Sequence, residues 1–228
     1  MGLPVYFSTN KRAIMKKNYL VLILIIMPLV GYSQITVGPK MGVNIASQFK
    51  SDFSVPKYGF AYGAAIDIPF GGGISVQGEF VVTQKGYREI YKGDEIFDEL
   101  TATYLEIPAM AKYTITKVNW AYFAQGGVYW SYWSKGSYES STDGEDIKSE
   151  DYEFTSEFED GFKDVRSDFG LVGEVGVSYD NLGSGVLALG LRYSHGLVAT
   201  NKLEFPPADA VYNLNRVFTI SLTYFIYL

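Results

Sequence analysis

The chain has no cysteine among its 228 residues. Without cysteine it can form neither a disulfide framework nor a lipoprotein attachment site. It also lacks a long apolar run. A membrane-spanning helix needs about 20 apolar residues, whereas the longest run, residues 19–30, has twelve. These absences exclude a disulfide-stabilised domain, a lipoprotein and a helical membrane protein, so packing and hydrogen bonds must hold the fold.

The short apolar run has the layout of a secretory signal peptide, because a pair of lysines precedes it and a short polar segment follows it. We predict cleavage after Ser33, which divides the chain into a leader, residues 1–33, and one domain, residues 34–228. Translation could start at Met1 or at Met15, because Met15 heads the signal in the usual way.

The charge balance of the chain is acidic. The leader carries four basic residues and no acid, so its removal changes the formal net charge from −6 to −10. Such a balance argues against nucleic acid or an anionic surface as a partner. With 16% aromatic residues and 24 glycines, the composition favours one all-β domain.

Eight stretches alternate apolar with small or polar side chains, which is the two-residue period of a β-strand. They cover residues 35–46, 58–70, 74–87, 103–115, 120–133, 167–179, 186–197 and 216–228. The last stretch is too apolar to end a chain with a bare edge, so the first strand is its natural partner. We therefore predict an all-β fold: an eight-stranded antiparallel transmembrane β-barrel.

Short and long connections between the predicted strands alternate strictly. The short ones are residues 71–73, 116–119 and 180–185, and the long ones are residues 47–57, 88–102, 134–166 and 198–215. Outer-membrane barrels have tight periplasmic turns and larger outer loops. The pattern therefore predicts a monomeric barrel in the cell outer membrane, with lipid around it and both termini on the periplasmic side.

The strand charges indicate which face points to lipid, since alternation alone also fits a soluble lipocalin-like barrel. All of them lie on the small-residue phase: Lys40, Asp67, Glu79, Lys85, Glu106, Lys112, Asp168, Glu174 and Arg192. Five acids against four bases are too sparse for a water-facing surface but suit a narrow interior where opposite charges pair. We predict an interior charge network, with Glu79–Lys112 and Glu174–Arg192 as couples on neighbouring strands. Aromatic residues near both ends of the strands match the girdles of a membrane barrel.

Five short motifs occur in an order that resembles the PorT-type outer-membrane β-barrel family. They are residues 38–44 (GPKMGVN), 77–86 (QGEF…KG), 104–108 (YLEIP), 168–170 (DFG) and 192–197 (RYSHGL). The resemblance implies an eight-stranded barrel and, from the founding members, a link to protein secretion across the outer membrane. Two features depart from the family: the acidic connection at residues 134–166 is unusually long, and the chain ends in Leu228 rather than an aromatic residue.

The long acidic connection is a candidate binding loop for divalent cations or a basic partner. Its candidate residues are Glu145, Asp146, Glu150, Asp151, Glu157, Glu159 and Asp160. Residues 157–161 do not match a calcium loop, because Phe158 stands where an oxygen ligand is required. The alternative is a solvated hairpin that continues strands five and six, because acidic runs are commonly solvated.

Ser194 and His195 suggest a lipid-modifying hydrolase, but neighbours on a strand point to opposite faces and cannot form a nucleophile–base hydrogen bond. We expect no catalytic, metal-binding or cofactor-binding residues, and no enzyme. The interior charges could line a solute path, although an eight-stranded barrel is only wide enough for its own side chains. The prediction is a structural or partner-binding surface protein. The alternative is a secretion accessory that contacts other envelope proteins, and an enzyme or small pore is less favoured.

Overall fold

A computed structural model describes residues 34–48, 54–92, 96–141, 147–155, 157, 162–180, 185–205 and 214–228. The predicted leader lies outside the described residues. So do Glu145, Asp146, Glu159 and Asp160 of the candidate binding loop.

Twelve β-strands make up the regular structure of the described part. They are β1 (Thr36–Gln48), β2 (Ser54–Val55), β3 (Lys57–Gly71), β4 (Ile74–Lys92), β5 (Ile96–Lys117), β6 (Trp120–Ser141), β7 (Ile147–Asp151), β8 (Phe162–Asp164), β9 (Ser167–Tyr179), β10 (Gly185–Gly196), β11 (Asn201–Leu203) and β12 (Asn215–Tyr227). Within the described ranges, no helix is long and apolar enough to cross a membrane.

Eight of these strands close into a ring, in the order β1, β3, β4, β5, β6, β9, β10, β12 and back to β1. Every neighbouring pair is antiparallel. β12 pairs with β1 along its length, for example Phe218 with Ile45. The predicted fold and the predicted pairing of the last strand with the first are confirmed, and the ring leaves none of the eight strands with an open edge in the barrel wall.

The long connections gather at one end of the ring, which is the cell-surface end in outer-membrane barrels and is called the outer end below. The opposite end, called the turn end, contains the tight turns. One of them is formed by Gly71, Gly72 and Gly73, all in the left-handed region at φ +94°, +62° and +82°. Glycine adopts that conformation without steric cost, so the chain can reverse directly from β3 into β4.

The strands at the outer end are longer than their sequence pattern predicts. The predicted loop at residues 88–102 is wrong over most of its length, because β4 continues to Lys92 and β5 begins at Ile96. The apolar alternation fades in this segment because charged and polar residues occupy both phases over residues 88–99, while Leu100 and Ala102 remain buried. The ladder between the strands nevertheless continues, with Arg88 opposite Glu99.

The predicted hairpin in the acidic connection is correct for one strand and wrong for the other. β6 continues to Ser141 as expected, but β9 begins only at Ser167. The short strand β7 folds back on β6 instead, and β2 adds to β4 on the other side. We call the resulting projecting sheet the outer extension. It consists of β2, residues 86–92 of β4, 96–103 of β5, 134–141 of β6, and β7.

Apolar side chains cover the outside of the ring while small or polar ones fill the inside. Met41 and Ile220, on the predicted lipid phase, are 60% and 54% exposed. Glycines on the inner phase leave room for large inward side chains. A Cβ at Gly176 would lie 2.4 Å from the Phe123 ring, and one at Gly170 would lie 2.6 Å from the Tyr129 ring.

Candidate functional site

The middle of the barrel interior is occupied by four paired charges, Lys40, Glu79, Glu174 and Arg192, which we call the central ion cluster. Arg192 donates two hydrogen bonds to the Glu79 carboxylate, Nη2 to Oε1 at 2.6 Å and Nη1 to Oε2 at 2.8 Å. Its Nε donates to Glu174 Oε2 at 2.6 Å. Lys40 Nζ lies 3.0 Å from Glu79 and 3.1 Å from Glu174. Two cations and two anions balance, which offsets the cost of burying them.

The cluster crosses the lumen rather than following neighbouring strands. Arg192 and Glu174 stand opposite each other on β10 and β9, so this couple is present as expected. The expected Glu79–Lys112 couple was wrong. Lys112 lies opposite Ser75, four residues from Glu79 along β4, and its ammonium is 3.7 Å from Asp67. Glu79 reaches across the barrel because opposite walls of so narrow a ring are within side-chain reach.

A second group of charges, the upper ion cluster, lies between the central ion cluster and the outer end. Lys85 Nζ is 2.6 Å from Glu106 and 3.6 Å from Asp168. The Tyr129 hydroxyl and the Asn215 amide each donate to Asp168 at 3.0 Å. With one base against two acids, this cluster accounts for the excess negative charge of the interior.

The structure places all nine sequence-predicted charges on the inner face and brings them into three groups: the two ion clusters and the Lys112–Asp67 pair. A cavity of about 20 Å³ remains near the two clusters, bordered by Lys85, Glu106 and Ser221. That space is about the size of one water molecule. The interior is therefore packed with side chains at this level.

Several partners of the interior charges were not predicted from sequence, because they are neutral or aromatic side chains. Gln77 donates to Glu79 at 2.7 Å and accepts from Lys112 at 3.2 Å. Tyr104 and Tyr129 lie 4.8 Å and 4.6 Å from Lys85 Nζ, measured to the ring centroids. Their position on the charged phase of β5 and β6 is the signal that could have identified the two tyrosines.

Four aromatic side chains and one leucine cover the outer end of the interior, and we call this group the aromatic cap: Leu100, Tyr104, Trp133, Tyr152 and Phe154. Tyr104 and Trp133 come from barrel strands, whereas Tyr152 and Phe154 follow β7. The Trp133 ring stacks on Tyr152 at 5.2 Å and meets Phe154 edge-on at 5.0 Å. Two aromatic side chains of the acidic connection therefore pack over the outer end of the barrel interior.

Arg166 fixes the aromatic cap in place. Its guanidinium lies 4.0 Å from the Phe154 ring centroid. It also donates from Nε to the Trp133 carbonyl at 3.0 Å and from Nη2 to the Ser134 carbonyl at 3.2 Å. Because a cation over an aromatic face is attracted to it, Arg166 ties the start of β9 to both the cap and the outer extension.

At the turn end the interior opens into a cavity of about 690 Å³, the turn-end vestibule. Lys112 and Asp67 lie at its inner side, and Thr114, Ser178 and Tyr227 contribute to its wall. Lys112 Nζ is 4.9 Å from the Phe123 ring centroid. It is also 5.2 Å from the Phe225 ring centroid, so this ammonium lies between two aromatic rings at the inner side of the vestibule.

The outer extension carries the described part of the candidate acidic loop. Glu150 and Asp151 are exposed there, and Glu157, which follows β7 in the chain, is exposed as well. Burial, followed by the hydrogen bond to the Asp98 carboxylate, raises the pKa of Tyr138. The hydrogen bond to Glu89, at 2.7 Å, raises the pKa of Tyr91 to about 12. In the part of the chain that is described, no three histidine or acidic side chains are grouped to hold a metal ion.

Ser194 and His195 lie near the outer end of β10 but face opposite sides. Ser194 is buried in the interior, while His195 is on the outer phase, opposite Arg216. The near neighbour of His195 Nδ1 is the Tyr193 hydroxyl at 3.3 Å. This geometry does not form a nucleophile–base pair.

Solved structures that resemble this chain include bacterial surface and outer-membrane proteins of low sequence identity. Ail, the attachment invasion locus protein of Yersinia pestis, is 13% identical with a TM-score of 0.42, over 85% of this chain and 99% of that chain. Neisserial surface protein A is 16% identical with a TM-score of 0.44, over 85% and 97%. OprG from Pseudomonas aeruginosa is 12% identical with a TM-score of 0.41, over 86% and 93%. No curated protein sequence matches the chain.

A sequence profile described as "Outer membrane protein beta-barrel domain" matches residues 27–200, well over half of the chain. This match agrees with the closed antiparallel ring and with the apolar outer face. The chain therefore belongs to the outer membrane protein beta-barrel domain family and is a barrel of the outer membrane whose apolar band faces lipid.

Proposed function

We propose that the protein is a surface protein that binds a partner through its outer extension, with the barrel as a rigid support. The observation that carries this proposal is the contrast between the two parts. Four paired charges fill the middle of the barrel, whereas strands β4, β5 and β6 continue beyond the wall and recruit β2 and β7. A structural role alone would not require this additional sheet.

The packed interior supports binding over transport, and the rim geometry supports binding over catalysis. A solute would have to separate Arg192 from two carboxylates, which would leave buried charges unpaired. A hydrolase of the type considered above would need a base beside Ser194, and His195 faces the other side.

Labelling whole cells tests whether the outer extension is at the cell surface. A tag inserted near Gly144, in the β6–β7 connection, should react with an antibody on intact cells, and a tag at Gly72 should react only after lysis. Both tags should react in permeabilised cells, which controls for expression. Equal reaction at the two sites on intact cells would contradict the proposed orientation.

Crosslinking from intact cells tests partner binding. The full chain should capture a partner that is lost when the β6–β7 hairpin, residues 138–150, is replaced by an Asn-Gly turn. The control is a full-length chain in which Lys117, at the turn end, is replaced by Gln. The resemblance to the PorT type suggests a more specific role as a secretion accessory. Recovery of secretion components would favour that role, and capture of nothing by the full chain would contradict partner binding.

We also propose that residues 1–33 direct export and are removed after Ser33. The layout of the leader supports this proposal, and its residues lie outside those described. Mass analysis of the protein purified from outer membranes should give a chain that begins at Gln34. A retained leader would contradict cleavage.

A further inference from the structure

Within the described residues, strand β7 has one edge that pairs with β6 and one edge that no strand covers. Along its length it pairs with β6, from Ser141 opposite Ile147 to Ser137 opposite Asp151. Among the described elements β7 packs against β6 alone, and all five of its residues are exposed. A free strand edge presents unpaired N–H and C=O groups that can template another strand.

The hydrogen bonding of the neighbouring residue shows which backbone groups point to the free edge. Tyr152 N–H donates to the Gly136 carbonyl of β6 at 3.0 Å. Successive residues of a strand alternate between its two edges, so the backbone groups of Glu150 and Lys148 also point to β6. Those of Ser149 and Asp151 point to the free edge.

A second copy of the chain is a poor occupant of this edge. Two barrels in one membrane are related by an axis along the membrane normal, so their β7 strands would run in the same direction. Lys148 would then face a lysine and Glu150 a glutamate, and like charges opposite each other destabilise a strand pair.

The charges around β7 favour a basic segment as the partner of its free edge. Residues 135–141 of β6 and 147–153 contain four acids, Glu139, Glu150, Asp151 and Glu153, and two bases, Lys135 and Lys148. In the sequence, residues 142–146 and 156–161 on either side of β7 add acids and no base. Strand addition obtains affinity from the main chain and specificity from side chains at alternate positions. Lysine or arginine at alternate positions of an added strand would meet this acidic surface.

We propose that the free edge of β7 accepts an extended, basic segment of another protein as an added β-strand. This inference rests on the proposed function, because it names the kind of partner that the outer extension binds.

The test uses the full chain in lipid nanodiscs and a fluorescent nonapeptide in which lysine alternates with valine and threonine. Binding is followed by fluorescence anisotropy at low and moderate salt. Ser149→Pro removes an N–H on the free edge without removing a β6–β7 hydrogen bond. It should weaken binding about tenfold, because one backbone hydrogen bond is lost and the proline ring obstructs the edge. Ser149→Ala retains the N–H and should bind like the unaltered protein.

Two controls keep the result interpretable. Amide hydrogen exchange should show the β6–β7 ladder intact in Ser149→Pro, whereas Glu150→Pro, whose N–H points to β6, should loosen it. A version of the peptide with glutamate in place of lysine should not bind.

Equal binding by Ser149→Pro and the unaltered protein would overturn strand addition, as would tight binding of the acidic peptide. If Ser149→Pro still captures the partner from intact cells, binding through the outer extension holds and the β7 edge is not its site. If neither the full chain nor any variant captures a partner, the proposed function itself fails.

Discussion

At the scale of single residues, the interior is governed by charge balance more than by any one pair. Glu79 accepts hydrogen bonds from Lys40, Gln77 and Arg192. Arg192 also donates a hydrogen bond to Glu174. Each ion of the central ion cluster therefore has more than one partner. Removing a single member leaves its counter-charge buried and unbalanced, which costs more than the intact cluster contributes.

Arg192→Met tests this balance. The variant should lose about 3–5 kcal/mol of unfolding free energy, since two carboxylates would share Lys40 alone. Adding Glu174→Gln should recover part of the loss, because Lys40 and Glu79 then balance. The measurement is urea unfolding in lipid vesicles, followed by tryptophan fluorescence. Strictly additive losses in the double-mutant cycle would show that the two side chains are not coupled.

A second residue-scale prediction concerns glycine spacing on β9. Gly176→Ala places a Cβ 2.4 Å from the Phe123 ring and should cost about 1–3 kcal/mol as an overpacking change. Gly173→Ala, on the outward phase of the same strand, is the control for the loss of a strand glycine, because the nearest neighbour of its Cβ would lie at 4.0 Å. The same unfolding assay compares them. Equal stability of the two variants would mean that the inward phase of β9 has spare room.

For the interior charges, the sequence predicts the direction in which each side chain points but not its partner. The inward orientation of the nine strand charges follows from a two-residue period, which is local. Their partners do not follow, because Glu79 and Arg192 are 113 residues apart and meet only when the ring closes. The assumption that charges pair between neighbouring strands correctly predicted Glu174–Arg192, because these residues are directly opposite each other. It failed for Glu79–Lys112, because the register of β4 and β5 places Ser75, not Glu79, opposite Lys112.

At the scale of elements, the barrel strands were predictable and the outer extension was not. Apolar alternation marks β1, β9 and β12 to within about two residues. In the outer extension charged and polar residues occupy both phases of β4 and β5, so the pattern disappears. The backbone ladder nevertheless continues as far as Lys92 opposite Ile96. Hydrogen bonding between adjacent strands extends structure that side-chain patterning does not encode.

The outer extension should weaken at high pH. The pKa of Tyr138 is raised above its ordinary value near 10 by burial and by Asp98. The folded state therefore holds this proton more tightly than the unfolded state. Its stabilising contribution is fully present below about pH 10 and is lost as the pH rises through the folded pKa.

Ultraviolet titration checks this prediction. The difference between the unaltered protein and Tyr138→Phe isolates the ionisation of Tyr138, which should occur above the ordinary range. Asp98→Asn should lower its midpoint, whereas Glu139→Gln, next to Tyr138 on the opposite phase, should leave it nearly unchanged. An unshifted midpoint in Asp98→Asn would show that the carboxylate does not act on Tyr138.

At the scale of the whole molecule, the two faces of the barrel impose opposite demands on neighbouring residues. Leu189 is 49% exposed on the lipid face and Ala188 is 6% exposed in the interior. Leu189→Arg should cost about 2–4 kcal/mol near the bilayer midplane. Ala188→Ser should be mild, because its hydroxyl can reach the turn-end vestibule that Ala188 lines. Unfolding energies in the reverse order would contradict the face assignment.

The pairing of β1 with β12 closes the barrel and makes closure a late step of folding. The Leu228 amide bonds the Ile35 carbonyl at 2.9 Å, so the seam joins the two ends of the domain. Contacts this distant in sequence form late and slowly, because chain entropy must be lost before they contribute. Until the seam forms, the growing sheet has two open edges that can pair with other chains. Assembly in the membrane therefore depends on how quickly the last strand finds the first, and the periplasm must protect the unclosed chain during that interval.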